Sequence, residues 1–92
     1  MIMISKLEDI QKKICLKIKL ERNKRNLSQE KLCELCDITQ NSLVAIENFR
    51  SSPKLSTIIK IANAFDITVS ELTDISKIDL EISSYLLSSN KK

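Results

Sequence analysis

Cys33 and Cys36 stand three positions apart, the spacing at which two thiolates can share a metal ion or cycle as a redox pair. A structural zinc site needs four ligands, and with Cys15 the 92-residue chain supplies three thiols and no histidine. Neither a metal nor a cofactor is therefore expected. The cysteines read as reduced thiols, since a free Cys packs as a small hydrophobe and an odd count without a secretory signal argues against a disulfide framework. Catalysis finds little footing: the chain has no glycine to build a phosphate-cradling loop, and no nucleophile and base stand in a recognisable arrangement. Enzymatic activity is not expected.

Charge is the more informative chemistry. The net charge of +3 is mild, but residues 12 to 25 carry seven bases (Lys12, Lys13, Lys17, Lys19, Arg22, Lys24, Arg25) against the single acid Glu21. Residues 66 to 81 carry five acids and one base. One end of the molecule can face phosphate and the other should not, although a basic helix face can also be simply solvated.

The elements that must position these groups are helical. One proline, no glycine and 3% aromatics make an all-β fold hard to turn, whereas the apolar residues recur at helical intervals. Leu7, Ile10, Ile14 and Ile18 mark a first helix from about Ser5 to Arg25, closed by Asn26 in a left-handed conformation. Ser28 is a good N-cap for a second helix with Leu32, Leu35 and Cys36 inward, ending near Cys36. Asp37 follows where a tight turn is required, and Thr39 caps a third helix with Leu43, Ile46 and Phe49 inward. The two helices are about three residues apart, the spacing of a helix-turn-helix. Ser51-Ser52-Pro53 is a loop, with Pro53 suited to the first turn of a fourth helix faced by Leu55, Ile58, Ile59, Ala62 and Phe65. Thr68 and Glu71 form a capping box for a short fifth helix containing Val69 and Leu72. Past Asp74, residues Ile75, Ile78, Ile82, Tyr85 and Leu86 fit a helix face, while Ile78, Leu80 and Ile82 fit a strand; helix is the favoured reading. The polar end, Ser88 to Lys92, is expected to fray. No apolar run approaches the roughly 20 residues that span a bilayer, and Met1–Ile4 lacks the charge and length of a signal peptide, so a cytoplasmic location is expected.

Leu27-Ser28-Gln29-Glu30-Lys31-Leu32, then Ile38-Thr39-Gln40-Asn41-Ser42-Leu43, Ile46-Glu47-Asn48 and Pro53, resemble the helix-turn-helix of the lambdoid phage repressors and Cro, the XRE family. The likeness is gapless from Leu27 to Pro53 and extends more loosely from Ile18 to Leu72. It implies an all-α, five-helix domain over residues 1–74, with the helix-turn-helix at about 28–48, followed by a short C-terminal extension, 75–92, for dimerisation or a partner. It further implies a homodimer that lays its third helix in the major groove of a palindromic double-stranded DNA site. Gln40 and Asn41 would then read bases, as an amide can bond adenine at N6 and N7 together, with Ser42 helping. Val44 and Ala45, where relatives often carry polar readers, can offer only contact with thymine methyl groups. Ser28, Gln29, Thr39, Asn48, Arg50 and Lys54 would hold phosphates, and Arg22 and Glu47 would form an ion pair that orients the third helix.

The sequence departs from the family at two glycines, which are Asp37 and Phe49 here. A bulky aromatic is costly at positive φ, so the expectation is that either Asn48 takes that conformation or the loop to Pro53 differs. Lys31 stands where an acid would complete a capping box. Two functional classes follow: a DNA-binding repressor, or an adaptor of the antitoxin kind whose C-terminal extension holds a toxin and whose DNA binding is secondary.

Overall fold

The computed structural model describes the backbone of residues 2–90 and the side chains of residues 6–88. Among the described residues there are six helices and no strand: α1 (Ile2–Lys24), α2 (Gln29–Cys36), α3 (Gln40–Glu47), α4 (Leu55–Phe65), α5 (Val69–Leu72) and α6 (Ile78–Asn90). Ile18, Leu32, Leu43, Ile61 and Leu72, one from each of α1 to α5, are wholly buried. Around them pack Cys15, Cys33, Cys36, Ile46, Ala62 and Phe65, so each of the first five helices is held by what it contributes to one core.

The helix starts are set by side chains. Ser28 Oγ accepts the Lys31 N–H at 3.0 Å, Thr39 Oγ1 accepts the Ser42 N–H at 3.1 Å, and Thr68 with Glu71 closes a reciprocal capping box. Four helix ends turn through a left-handed residue without a glycine: Asn26 (φ 56°), Asp37 (54°), Phe49 (62°) and Asp66 (58°). After α1 the Leu27 N–H bonds Arg22 O at 3.2 Å, after α3 the Arg50 N–H bonds Ala45 O at 2.8 Å, and after α4 the Ile67 N–H bonds Ala62 O at 3.0 Å. These are the closing bonds of a Schellman turn. Phe49 thus takes the left-handed conformation itself, and Asn48 does not. Burial of Ile46 and Glu47 fixes where α3 ends; Asn48, at φ −98°, still bonds Val44 O, and the next residue must turn whatever its identity.

Several side chains expected inside lie outside. Leu35 is 51% exposed because Leu32, Cys33 and Cys36 take the inward face of α2, and Leu35 is about 100° round the helix from Cys36. Phe49 leaves α3 at its left-handed turn and is 46% exposed. Leu7 and Ile10 continue the stripe of α1 past the point where the core begins, at Ile14 and Cys15, and both are exposed. Ile59 is exposed on α4, and Pro53 precedes that helix, whose N-cap is Lys54.

The C-terminal segment is a helix, not a strand. Asp74 Oδ1 accepts the Ser76 N–H at 3.1 Å in the turn after α5, and α6 then lies along α1 with Ile78 buried and Ile82 and Tyr85 half-buried. Those three positions recur at helical spacing, which leaves Leu80 on the opposite side. The helix continues to Asn90 through part of the segment expected to fray; Lys91 and Lys92 lie outside the described residues.

Candidate nucleic-acid interface

The third helix is fixed from below by a buried charge pair. Arg22 Nε donates to Glu47 Oε2 at 2.7 Å and Nη2 to Oε1 at 2.9 Å, a bidentate geometry, while Nη1 donates to Leu27 O at 2.7 Å. Gln29 Nε2 adds a fourth bond, to Glu47 Oε1 at 3.0 Å. One carboxylate at the end of α3 therefore ties together the end of α1 and the start of α2, and among the described residues no buried side-chain nitrogen or oxygen is left without a partner. The Gln29 contact is not visible in sequence, where Gln29 and Glu47 are 18 positions apart.

Leu43, Ile46 and Glu47 occupy the inward face of α3, and helical spacing turns the others out. Gln40, Asn41, Ser42 and Asn48 are exposed, and Val44 and Ala45 are half-buried among them. Ser42 is not wholly free, since Thr39 Oγ1 donates to its hydroxyl at 2.8 Å. This leaves two primary amides, Gln40 and Asn41, side by side at the rigid start of a helix. Ser28 and Thr39 are exposed at the N-terminal ends of α2 and α3, and Gln29 is half-buried with one amide proton engaged by Glu47. Arg50 and Lys54 are exposed on the segment between α3 and α4.

The basic run of α1 is mostly committed inside the molecule. Lys13 pairs with Asp9 (3.1 Å), Lys17 with Glu81 (2.8 Å) and Glu21 (3.5 Å), Arg22 with Glu47, and Lys24 (3.3 Å) and Arg25 (2.7 Å) with Glu21. Arg25 also lies over the Phe65 ring, 4.5 Å from its centre. Among the described residues only Lys12 and Lys19 of the seven bases make no ion pair. They are seven residues apart, on one face of α1, flanking Cys15, whose thiol points to Ser51 O at 3.8 Å in the segment that carries Arg50. Lys12 lines a shallow groove with Phe49, Arg50, Ser51 and Ser52. The pairs at i and i+4 were readable from spacing; those to Glu47 and Glu81 were not.

The three thiols are buried. Burial pushes each above the usual thiol range, reinforced by Glu47 for Cys33 and by Cys33 for Cys36. They stay protonated near neutral pH and act as core residues; Cys36 Sγ donates to Leu32 O at 3.0 Å. Among the described residues no cluster of three metal-binding side chains forms.

A short helix-turn-helix with a capped, outward-facing third helix defines a small DNA-binding domain of the lambda-repressor type. The Helix-turn-helix family matches residues 18–72, more than half of the chain, and the chain belongs to this family, in its Cro/C1 or XRE type. Its general role is that of a DNA-binding transcriptional regulator. Comparison with curated proteins and with solved structures returned no match. No described helix is long and apolar enough to cross a membrane.

Proposed function

We propose that the protein is a homodimeric repressor, acting in the cytoplasm, that binds a palindromic operator with α3 of each copy in successive major grooves. The observation that carries this reading is the pair of exposed amides, Gln40 and Asn41, on a helix whose far end is locked by Glu47. A primary amide offers a donor and an acceptor at the spacing of adenine N7 and N6, worth roughly 1–3 kcal/mol of discrimination per base pair. Val44 and Ala45 contribute contact with thymine methyl groups, and Ser42 its remaining hydroxyl proton. With so few polar readers, the shape of the operator carries part of the specificity.

Phosphates on either side are held by Ser28, by Thr39 once its hydroxyl proton turns from Ser42, and by the free amide proton of Gln29, aided by the N-terminal amides of α2 and α3, and by Asn48, Arg50 and Lys54. The two unpaired lysines of α1, Lys12 and Lys19, extend that contact along the backbone. The exposed leucines of α6 favour a second reading, in which a protein partner such as a toxin docks on that helix and DNA binding serves autoregulation.

Selection from a random DNA pool, followed by binding at several salt concentrations, tests the first reading. Gln40→Ala should relax preference at one base pair, whereas Gln29→Ala should weaken all sites alike. Lys12→Ala and Lys19→Ala should each reduce the slope of log affinity against log salt by about 0.9, and Lys24→Ala should leave it unchanged. No enriched sequence, or equal losses from all these changes, would sink the assignment.

A further inference from the structure

We infer that the second turn of α3 reads the C5-methyl group of a pyrimidine and nothing else of the base, so that 5-methylcytosine is accepted in place of thymine and cytosine methylation of the DNA site strengthens binding; the inference rests on the DNA-binding reading above. The outward side of α3 is divided along its length. Gln40 and Val44 stand four residues apart, as do Asn41 and Ala45, so each amide of the first turn has an apolar side chain above it in the second. Both amides are exposed, and Val44 and Ala45 are half-buried. Four residues rise about 6 Å along a helix, against about 3.4 Å for a base-pair step, so the two turns meet different base pairs.

Thymine and 5-methylcytosine show the same C5-methyl group in the major groove. They differ at position 4, a carbonyl acceptor in thymine and an amine donor in cytosine, and their partners adenine and guanine differ in the opposite sense at position 6. Telling the two pairs apart therefore takes a hydrogen-bonding group. The second turn has none to offer: neither side chain carries a polar atom, the carbonyls of Val44 and Ala45 accept from the Asn48 N–H at 3.0 Å and the Arg50 N–H at 2.8 Å, and their own amides bond inside α3. Asn48 comes four residues after Val44 but lies past the end of the helix, at φ −98°. What remains is shape. Val44 is β-branched and a helix restricts it to one main rotamer, while Ala45 has no rotamer to lose, so the surface offered to a methyl group is stiff. An unmodified C·G pair brings no methyl group to that surface; methylation of the cytosine supplies one.

The decisive test changes the DNA and keeps the wild-type chain. In the duplex selected from the random pool, each thymine is replaced in turn by deoxyuridine, which lacks only the methyl group, and affinity is measured by fluorescence anisotropy. One or two positions should lose about fourfold per half-site, the worth of one buried methyl group. At such a position a C·G pair should bind weakly, and 5-methylcytosine paired with guanine should recover most of the loss. Val44→Ser/Ala45→Ser, shown to be folded by circular dichroism, should bring the ratio of affinities for methylated and unmethylated duplex close to one; if it does not fold, the DNA series alone decides. The absence of any thymine whose methyl group matters, 5-methylcytosine binding no better than cytosine, or an unchanged ratio in the folded double variant overturns the proposal. Replacing the selected adenines by 7-deazaadenine, which lacks the N7 acceptor, reads the amides of Gln40 and Asn41 separately. A loss there without any methyl effect sinks the methyl reading and keeps the DNA reading, whereas a wild type that prefers no sequence sinks both.

Discussion

Asp66 closes α4 in the left-handed region, exposed, with its carboxylate at the negative end of the helix dipole. Both features cost stability, the backbone through the crowded Cβ and the charge through the unpaired carbonyls of the last turn. Replacing Asp66 by Gly should raise stability by about 1 kcal/mol and the melting temperature by several degrees, without changing DNA affinity, as a thermal melt and a titration would show. A lower melting temperature would mean that the carboxylate has a stabilising contact. Phe49 presents a different balance, since its strained backbone comes with an exposed ring that lines one groove with Gln11, Lys12 and Cys15. Its substitution would mix the two effects, so Asp66 is the cleaner probe.

The relation between α1, α2 and α3 depends on Glu47, the carboxylate where Arg22 and Gln29 converge. Removing its charge leaves the Arg22 guanidinium buried and unpaired, a loss of about 3–5 kcal/mol. Glu47→Gln should therefore melt far below wild type. The double change Arg22→Met/Glu47→Leu removes both charges from the apolar site and should recover much of the melting temperature. Its DNA affinity should stay low, because nothing then fixes the angle of α3 or holds Gln29. A double variant that melts as low as Glu47→Gln would show that orientation and stability cannot be separated here.

On the scale of the whole molecule, the network of Lys17, Glu21, Lys24, Arg25 and Glu81 joins α6 to the DNA-binding body. Burial raises the Glu21 carboxyl, but hydrogen bonds from Arg25 and Lys24 and the charges of Lys24 and Lys17 outweigh it, so Glu21 titrates below its ordinary range. Burial likewise pulls Lys17 down, and its bond and charge contact with Glu81, then Glu21, more than reverse this. A depressed carboxyl contributes stability that is present above its unfolded pKa, about 4.3, and is lost as pH falls through the folded value. The raised Lys17 contributes stability that is present below about 10.4 and lost as pH climbs through its folded value. The melting-temperature gap between wild type and Glu21→Gln should thus be widest near neutral pH and narrow below about pH 4. A gap that is constant with pH would show that Glu21 acts by packing alone.

The sequence by itself determined the helical elements, because caps, spacing and apolar periodicity act within a few residues: Ser28, Thr39 and Thr68 each bond an amide three positions on. It also determined the family, and with it which face of α3 is turned out. Local pattern says less about which apolar residues are covered, since that depends on where a neighbouring helix lies; Leu7, Leu35 and Phe49 carry core-like patterns and remain exposed. Tertiary structure decided the fate of the charges as well. Two stretches, one strongly basic and one acidic, suggested opposite ends of a molecule, yet folding brings Lys17 to within 2.8 Å of Glu81, 64 positions away, and spends most of the basic run on internal pairs. A residue's charge is written in its sequence, but whether that charge faces solvent depends on which distant carboxylate the fold places beside it.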